Sequence, residues 1–187
     1  MGRFYFRRES GLSKSTPCIY LAGKIDKNDW RHSVIPQLRR YEDCLEPIRM
    51  DDFIYVGPFY KSCGHGCFHT DGSHGILGRQ QKYRRVAQLQ VRNQCFEAVK
   101  NCDIFILYIN NRDAFGSLVE VGWAQALGKR VVVIYAPGIS TPNDNDFWFS
   151  SITAEKTVFD VEACGISKII YEEISDLTIG NAAGCWE

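Results

Sequence analysis

The chain has 187 residues, and its 22 lysines and arginines balance 22 aspartates and glutamates, so its net charge is zero. Apolar residues make up 45% and charged residues 24%. This ordinary globular composition excludes disorder over most of the chain, and the lack of a basic excess argues against a dedicated duplex nucleic-acid binder. No apolar run reaches the roughly 18 residues of a membrane span. The opening MGRFYFRRES lacks a signal-peptide core, and Phe6 breaks the myristoylation pattern that Gly2 would begin. A cytoplasmic protein with no membrane partner is expected. Eight cysteines, about 4% of the chain, fall below the density of a disulfide scaffold, so reduced thiols are expected.

The length predicts one domain. Residues 1–16 read as a loose arm and residues 17–187 as that domain, with a Cys/His/Gly-rich insertion at about 57–79. Cys18 to Gly23 is a short apolar run ending in glycine, the pattern of a fully buried first strand. Asp29 can cap a helix from about Trp30 to Tyr41, kinked at Pro36. Ile48 and Phe53 to Val56 are strand-like and are closed by Gly57-Pro58. A helix begins near Val86, with Val91, Cys95, Ala98 and Cys102 on one face. Ile104 to Ile109 is a continuous apolar strand. Asp103, at its start, reads as a turn-bonding structural residue. Ser117 to Leu127 reads as a helix stopped by Gly128, and Val131 to Tyr135 as the next buried strand. Residues 137–150 form a polar loop carrying Trp148 and two phenylalanines, Val158 to Val161 a weak strand, and Ser167 to Leu177 a closing helix.

Strands and helices alternate, and the strands are solid apolar runs. That pattern predicts a parallel sheet covered by helices on both faces. Ligands of such sheets bind outside the carboxyl ends of the strands. The rule selects Gly23–Arg31, Gly57–Gly78, Asn110–Glu120 and Ala136–Phe149. No G-x-G-x-x-G follows the first strand and no Walker pattern occurs, so the common nucleotide-cofactor loops are absent.

The stretch Asn110 to Glu120 places the Glu120 carboxylate in the first turn of a helix at the carboxyl edge of the central strand. A carboxylate there can serve as nucleophile or general base, kept ionised by the helix N-terminus. A plainer reading competes: Ser117-Leu118-Val119-Glu120 is also an S-x-x-E capping box, in which the glutamate only satisfies a backbone N–H.

Cys102 to Tyr108, Phe115 to Ala124 and Ala126 to Lys129, together with Ile19 to Gly23 and Asp29-Trp30-Arg31, resemble the nucleoside 2-deoxyribosyltransferase superfamily over roughly residues 17–136. The superfamily also holds nucleotide N-glycosidases. The resemblance implies a single flavodoxin-like, Rossmann-like α/β domain of about five parallel strands, and an enzyme that cleaves an N-glycosidic bond. Glu120 would be the nucleophile, forming a covalent glycosyl-enzyme, and Tyr20 the hydroxyl that orients it. The sugar would pass to a second base, or to water in a nucleoside 5'-monophosphate N-glycosidase. A neighbouring subunit often completes such sites, so a homo-oligomer is expected.

Gly23, Asp29 and Arg31 fall in the first loop, and Gly116 and Ser117 where backbone groups can meet a sugar or a 5'-phosphate; all five are assigned to substrate binding. The transferases carry an aspartate in the helix before the central strand. Here that region reads Arg92-Asn93-Gln94, and Asn93 and Gln94 take the place of base readers. Ala114-Phe115 replaces an acidic pair, leaving Asp113 one residue away as a further substrate contact.

The 57–79 insertion holds six glycines and three of the four histidines. Cys63, Cys67, His69 and His74, with His65 as a fifth candidate, have the ligand types of a structural zinc site, though not a standard finger spacing. A Gly-rich substrate lid and an inert surface loop are the other readings. Arg79, Lys82, Arg84 and Arg85 after it read as a solvated face or a phosphate clamp. Phe147, Trp148 and Phe149 can stack on a base or pack against other side chains. The proposed reaction requires no cofactor; the partner is a small nucleoside or nucleotide. A non-catalytic nucleotide-sensing module and a zinc-stabilised interaction domain remain as readings of other classes.

Overall fold

The computed structural model describes residues 16–25, 29–40, 46–58, 84–139 and 147–183. The loose arm and the whole Cys63 to His74 stretch lie outside the described residues, as do Arg79 and Lys82.

Six strands form one sheet: β1 (Cys18–Gly23), β2 (Ile48–Arg49), β3 (Ile54–Gly57), β4 (Ile104–Ile109), β5 (Arg130–Tyr135) and β6 (Lys156–Val158), in the order β2-β3-β1-β4-β5-β6. β3, β1, β4, β5 and β6 run parallel, and only the two-residue β2 is antiparallel. Counting the parallel strands alone, the order is 2-1-3-4-5, the flavodoxin-like arrangement. The chain reverses its direction of winding between β1 and β4, and the crevice at such a switch point is where ligands bind.

The helices are α1 (Arg31–Val34), α2 (Arg84–Asn101), α3 (Phe115–Ala126), α4 (Trp148–Ile152) and α5 (Ile166–Ala183). Strand parity divides their work. Ile19, Leu21, Ile104, Ile106, Tyr108, Val132 and Ile134 face one cluster, closed by Val34, Ile35, Leu38, Ile166, Ile169 and Ile170. Tyr20, Ala22, Phe105, Leu107, Val131, Val133 and Tyr135 face the other, closed by Cys95, Ala98, Val99, Val121 and Ala124. Every residue of β1 and β4 is buried because both faces are covered.

Several boundaries differ from the sequence expectation. The helix expected over residues 30–41 is a four-residue α1 followed by a 3-10 helix, Pro36–Arg40. Proline disfavours the helical region for the residue before it, and Ile35 sits at φ −124°, ψ 79°. α3 begins at Phe115, two residues before Ser117. The last strand ends at Val158 rather than Val161, and Asp160 two residues on has φ 56°. Within the expected polar loop 137–150, Trp148 opens the short α4. The closing helix runs on to Ala183. Asp103 behaves as a structural residue: its Oδ2 accepts from Cys18 N at 2.8 Å.

Among the described residues, no helix is long and apolar enough to cross a membrane. At the amino end of the sheet, the buried carboxylate of Glu173 on α5 accepts from Arg130 Nε at 2.6 Å and from Lys156 Nζ at 2.8 Å, tying α5 to β5 and β6. Glu173→Gln should cost about 1–2 kcal/mol of stability, as checked by urea denaturation. No loss would mean that the apolar face of α5 alone holds it in place.

Candidate active site

Tyr20 lies in mid-strand on the face covered by α2 and α3. It is fully buried, and its ring stacks on Phe105 at 5.4 Å between centroids. A buried phenol needs a partner, and the partner is Glu120: Tyr20 Oη donates to Glu120 Oε1 at 2.7 Å. The two residues are 100 positions apart in sequence.

Glu120 is not a capping residue here. The N-cap of α3 is Ala114, which has no side chain to cap with, and no capping side-chain bond forms. Ser117 is buried inside the first turn, and its N–H bonds to Ala114 O at 3.0 Å. Glu120 therefore sits in the second turn rather than the first, facing the sheet below α3. The residue as a whole is partly buried.

Burial raises the Glu120 pKa above the usual carboxylate value; the Tyr20 hydrogen bond, the Arg31 charge and the Cys95 thiol each oppose that rise. Burial, and then the neighbouring Glu120 charge, lift the Tyr20 phenol well above its ordinary range, so it stays protonated as a donor. The same two causes, in the same order, push the Cys95 thiol up to about 12.

Gly57 makes room for the Tyr20 ring. It sits at φ +144°, and a Cβ there would lie 2.9 Å from Tyr20 Cε2 and 3.4 Å from Ala98 Cβ. Gly23, at φ +148°, ends β1 at the crevice; a Cβ would lie 2.6 Å from Tyr108 O and 3.1 Å from Trp30 Nε1.

Arg31 and Asp29 line that wall from behind and are both fully buried at their side chains. Arg31 Nη1 donates to both Asp29 oxygens, at 2.9 and 2.8 Å. Its Nε donates to Leu21 O at 2.7 Å and its Nη2 to Gly23 O at 2.9 Å. Asp29 Oδ1 also accepts from Arg31 N at 2.9 Å, a local side-chain turn, and the N-cap position of α1 falls to Trp30 rather than to Asp29.

Lys24 Nζ meets Asp113 Oδ2 at 2.7 Å, linking the loop after β1 to the loop after β4. The Lys24 hydrogen bond holds the Asp113 pKa below the usual carboxylate value. Gly116 is exposed at the start of α3. Asn93 is exposed and Gln94 partly buried on α2, and Cys95 is buried in the same cluster as Tyr20.

The structure thus brings Tyr20, Glu120, Gly23, Gly116, Ser117 and Asp113 to the region of the switch point, and makes Asp29 and Arg31 its backing. Sequence reading put Gly57 at the start of a ligand-side stretch and as punctuation before Pro58, and missed the room it leaves for the Tyr20 ring. Among the described residues, no group of three or more His, Cys, Asp or Glu side chains is placed to hold a metal. Phe147 is buried, while Trp148 and Phe149 are exposed and meet edge to face at 5.6 Å.

Two substitutions test this geometry through stability. A glutamate whose folded pKa is raised binds its proton more tightly than in the unfolded chain, so its ionisation costs stability above that pKa. Glu120→Gln should therefore raise the melting temperature at neutral pH by a few degrees. The gain should vanish below the ordinary value of 4.5. A capping glutamate would instead lose about 1 kcal/mol on the same change. Gly57→Ala, at positive φ and against the Tyr20 ring, should cost about 1–3 kcal/mol by chemical denaturation.

The family model of the nucleoside 2-deoxyribosyltransferases matches residues 19–146. Among solved structures, the chain is similar to the CMP N-glycosidase BcmB of Clostridium botulinum. The identity is 14% and the TM-score 0.44, over 82% of this chain and 97% of that one. No curated protein matches the sequence.

Proposed function

The chain belongs to the nucleoside 2-deoxyribosyltransferase family, and from that premise we propose that it cleaves the N-glycosidic bond of a nucleoside or nucleotide with Glu120 as nucleophile. The observation that carries the reading is the 2.7 Å bond from Tyr20 Oη to Glu120 Oε1. It holds one carboxylate oxygen and leaves the other for the anomeric carbon. In the first step Glu120 forms an ester to that carbon while the base departs with the bonding pair and takes up a proton. In the second, a free base attacks the same carbon and releases the carboxylate; water in its place gives hydrolysis. The step needs only a carboxylate, a sugar and an acceptor, and calls for no cofactor.

Tyr20 orients the nucleophile and stays neutral throughout. Gly23 lets the substrate approach the backbone. Gly116 and Ser117 offer the first turn of α3 to the sugar or a 5'-phosphate. We assign Asp113, Asn93 and Gln94 to the substrate's polar edge, and Asp29 and Arg31 to shaping the wall. The reduced thiols Cys18, Cys95, Cys102 and Cys164 fit a cytoplasmic enzyme.

The homo-oligomer contact falls on the exposed apolar side chains of α3 and α4: Phe115, Val119, Trp148, Phe149 and Ile152. Gln125 and Thr153 join the two helices by a hydrogen bond. A second copy is the occupant we assign to this face, because its side chains are large, apolar and continuous over two helices. Ile152→Asp should shift sedimentation toward the monomer, and an unchanged profile would remove the face from the reading.

Purified protein incubated with nucleosides and 5'-nucleotides, with and without a second free base, tests the chemistry by chromatography of the released base. New nucleoside that appears only with an acceptor identifies transfer; free base without an acceptor identifies hydrolysis. Either activity should be lost at least a thousandfold in Glu120→Gln, and Tyr20→Phe should slow it by roughly 10- to 100-fold without abolishing it. The acid limb of the rate profile should lie above the ordinary carboxylate range, because Glu120 must be ionised to attack and its pKa is raised. Saturable nucleotide binding with no turnover would overturn the enzyme reading in favour of a sensing module.

A further inference from the structure

We propose that Arg31 is a positioning residue for substrate binding: one edge of its guanidinium stands in for the strand that β1 lacks beyond Tyr20, and so fixes the backbone from Leu21 to Gly23. The inference rests on the reading of that backbone as the wall the substrate approaches for its catalytic meaning, though not for its geometry.

Tyr20 is the last residue of β1 with a strand on each side, meeting Gly57 of β3 and Phe105 of β4. From Leu21 to Gly23 only β4 pairs with β1. Buried carbonyls along such an open edge need donors. Arg31 supplies them: Nε donates to Leu21 O at 2.7 Å and Nη2 to Gly23 O at 2.9 Å. Carbonyls two residues apart point to the same side of a strand, and Nε and Nη2 form one edge of a flat group. The remaining corner, Nη1, takes both Asp29 oxygens at 2.9 and 2.8 Å and reaches Lys24 O at 3.4 Å. The guanidinium also lies over the Trp30 ring at 4.6 Å, and that ring packs against Tyr108.

The Arg31 side chain has no exposed surface, so it acts through the backbone it holds rather than by touching substrate. Gly23 gives that hold its purpose. At φ +148° it occupies a conformation open to glycine and rarely to other residues, and a glycine free to leave it needs an external tie. Lysine cannot replace the fork. An ammonium keeps the charge opposite Asp29, but it is a point donor and does not present two N–H groups in one plane. Tyr20 keeps both of its neighbouring strands without Arg31, so its bond to Glu120 survives. Loss of the fork is therefore felt in KM rather than in kcat.

The test compares Arg31→Lys and Arg31→Gln in the full chain with Glu173→Gln, which weakens the opposite end of the sheet. In the base-release assay, both Arg31 variants should raise KM by roughly 10-fold with kcat changed by less than about threefold. In ligand-free protein, the amides from Leu21 to Gly23 should exchange with solvent faster than in the wild type, while those of β5 keep their protection. Glu173→Gln should lower the melting temperature and leave KM and these amides unmoved. Arg31→Gln removes the cation beside buried Asp29, so a fold defect in it still leaves Arg31→Lys, which keeps the charge, to be read. A loss of melting temperature with KM and exchange unmoved would overturn the inference and leave Arg31 as a structural residue. Wild-type behaviour of Arg31→Lys in both readouts would overturn it too, leaving only a counter-charge for Asp29. Absence of base release in the wild type, with exchange accelerated as expected, would instead overturn the enzyme reading and leave the tie on β1 standing.

Discussion

The hydrogen bond between Tyr20 and Glu120 is the interaction on which the site depends. Each group is removed from water, and each would be left unpartnered without the other, at a cost of about 1–3 kcal/mol for a buried polar group. The bond also sets what the surrounding structure must do. β1 must present position 20, and not position 19 or 21, to the face beneath α3. Gly57 must leave room for the ring, and Phe105 must support it from the next strand. The result is a carboxylate held ready by one donor, against a burial that alone would favour its protonation.

A second constraint comes from the unequal lengths of the strands. The pairing of β1 with β3 ends where Tyr20 meets Gly57, whereas the pairing of β1 with β4 continues to Gly23 opposite Tyr108. The last three residues of β1 thus lack a strand on one side. Arg31 fills that place: its guanidinium donates to the carbonyls of Leu21 and Gly23, alternate positions on the open edge. Asp29 neutralises and aligns it. A buried ion pair of this kind contributes little net stability compared with apolar packing. Its value here is geometric, since it fixes the wall of the switch-point crevice and sets a positive charge within reach of Glu120.

The sheet was legible in the sequence because both of its faces are buried. Cys18 to Gly23 and Ile104 to Ile109 are solid apolar runs, and the structure makes each a strand over that same span. Ile48 read as strand-like, but the antiparallel pairing of β2 was not legible, since two residues, Ile48 and Arg49, carry no periodicity. Pro36 was read as a kink, yet it ends α1, because the constraint falls on Ile35 before it. Glu120 entered as a candidate from its place after the central strand and Tyr20 through family resemblance, and no local pattern could have paired residues so far apart.

Whether Glu120 serves as a helix cap depends on where α3 begins. Ser-x-x-Glu describes a capping box only if the serine stands outside the helix. Here the chain enters the helix early. Asn111 Oδ1 accepts from Asp113 N at 3.2 Å, the mark of a local side-chain turn, and Ser117 and Leu118 both bond back to Ala114 O. Ala114 is buried and has no polar side chain, so the first turn closes on backbone alone. The helix therefore starts two residues before the serine, and the glutamate moves from the first turn to the second. In the second turn every backbone N–H already has a carbonyl four residues back, so a carboxylate there has no capping work to do. What it meets instead is whatever the strand beneath presents, and β1 presents Tyr20.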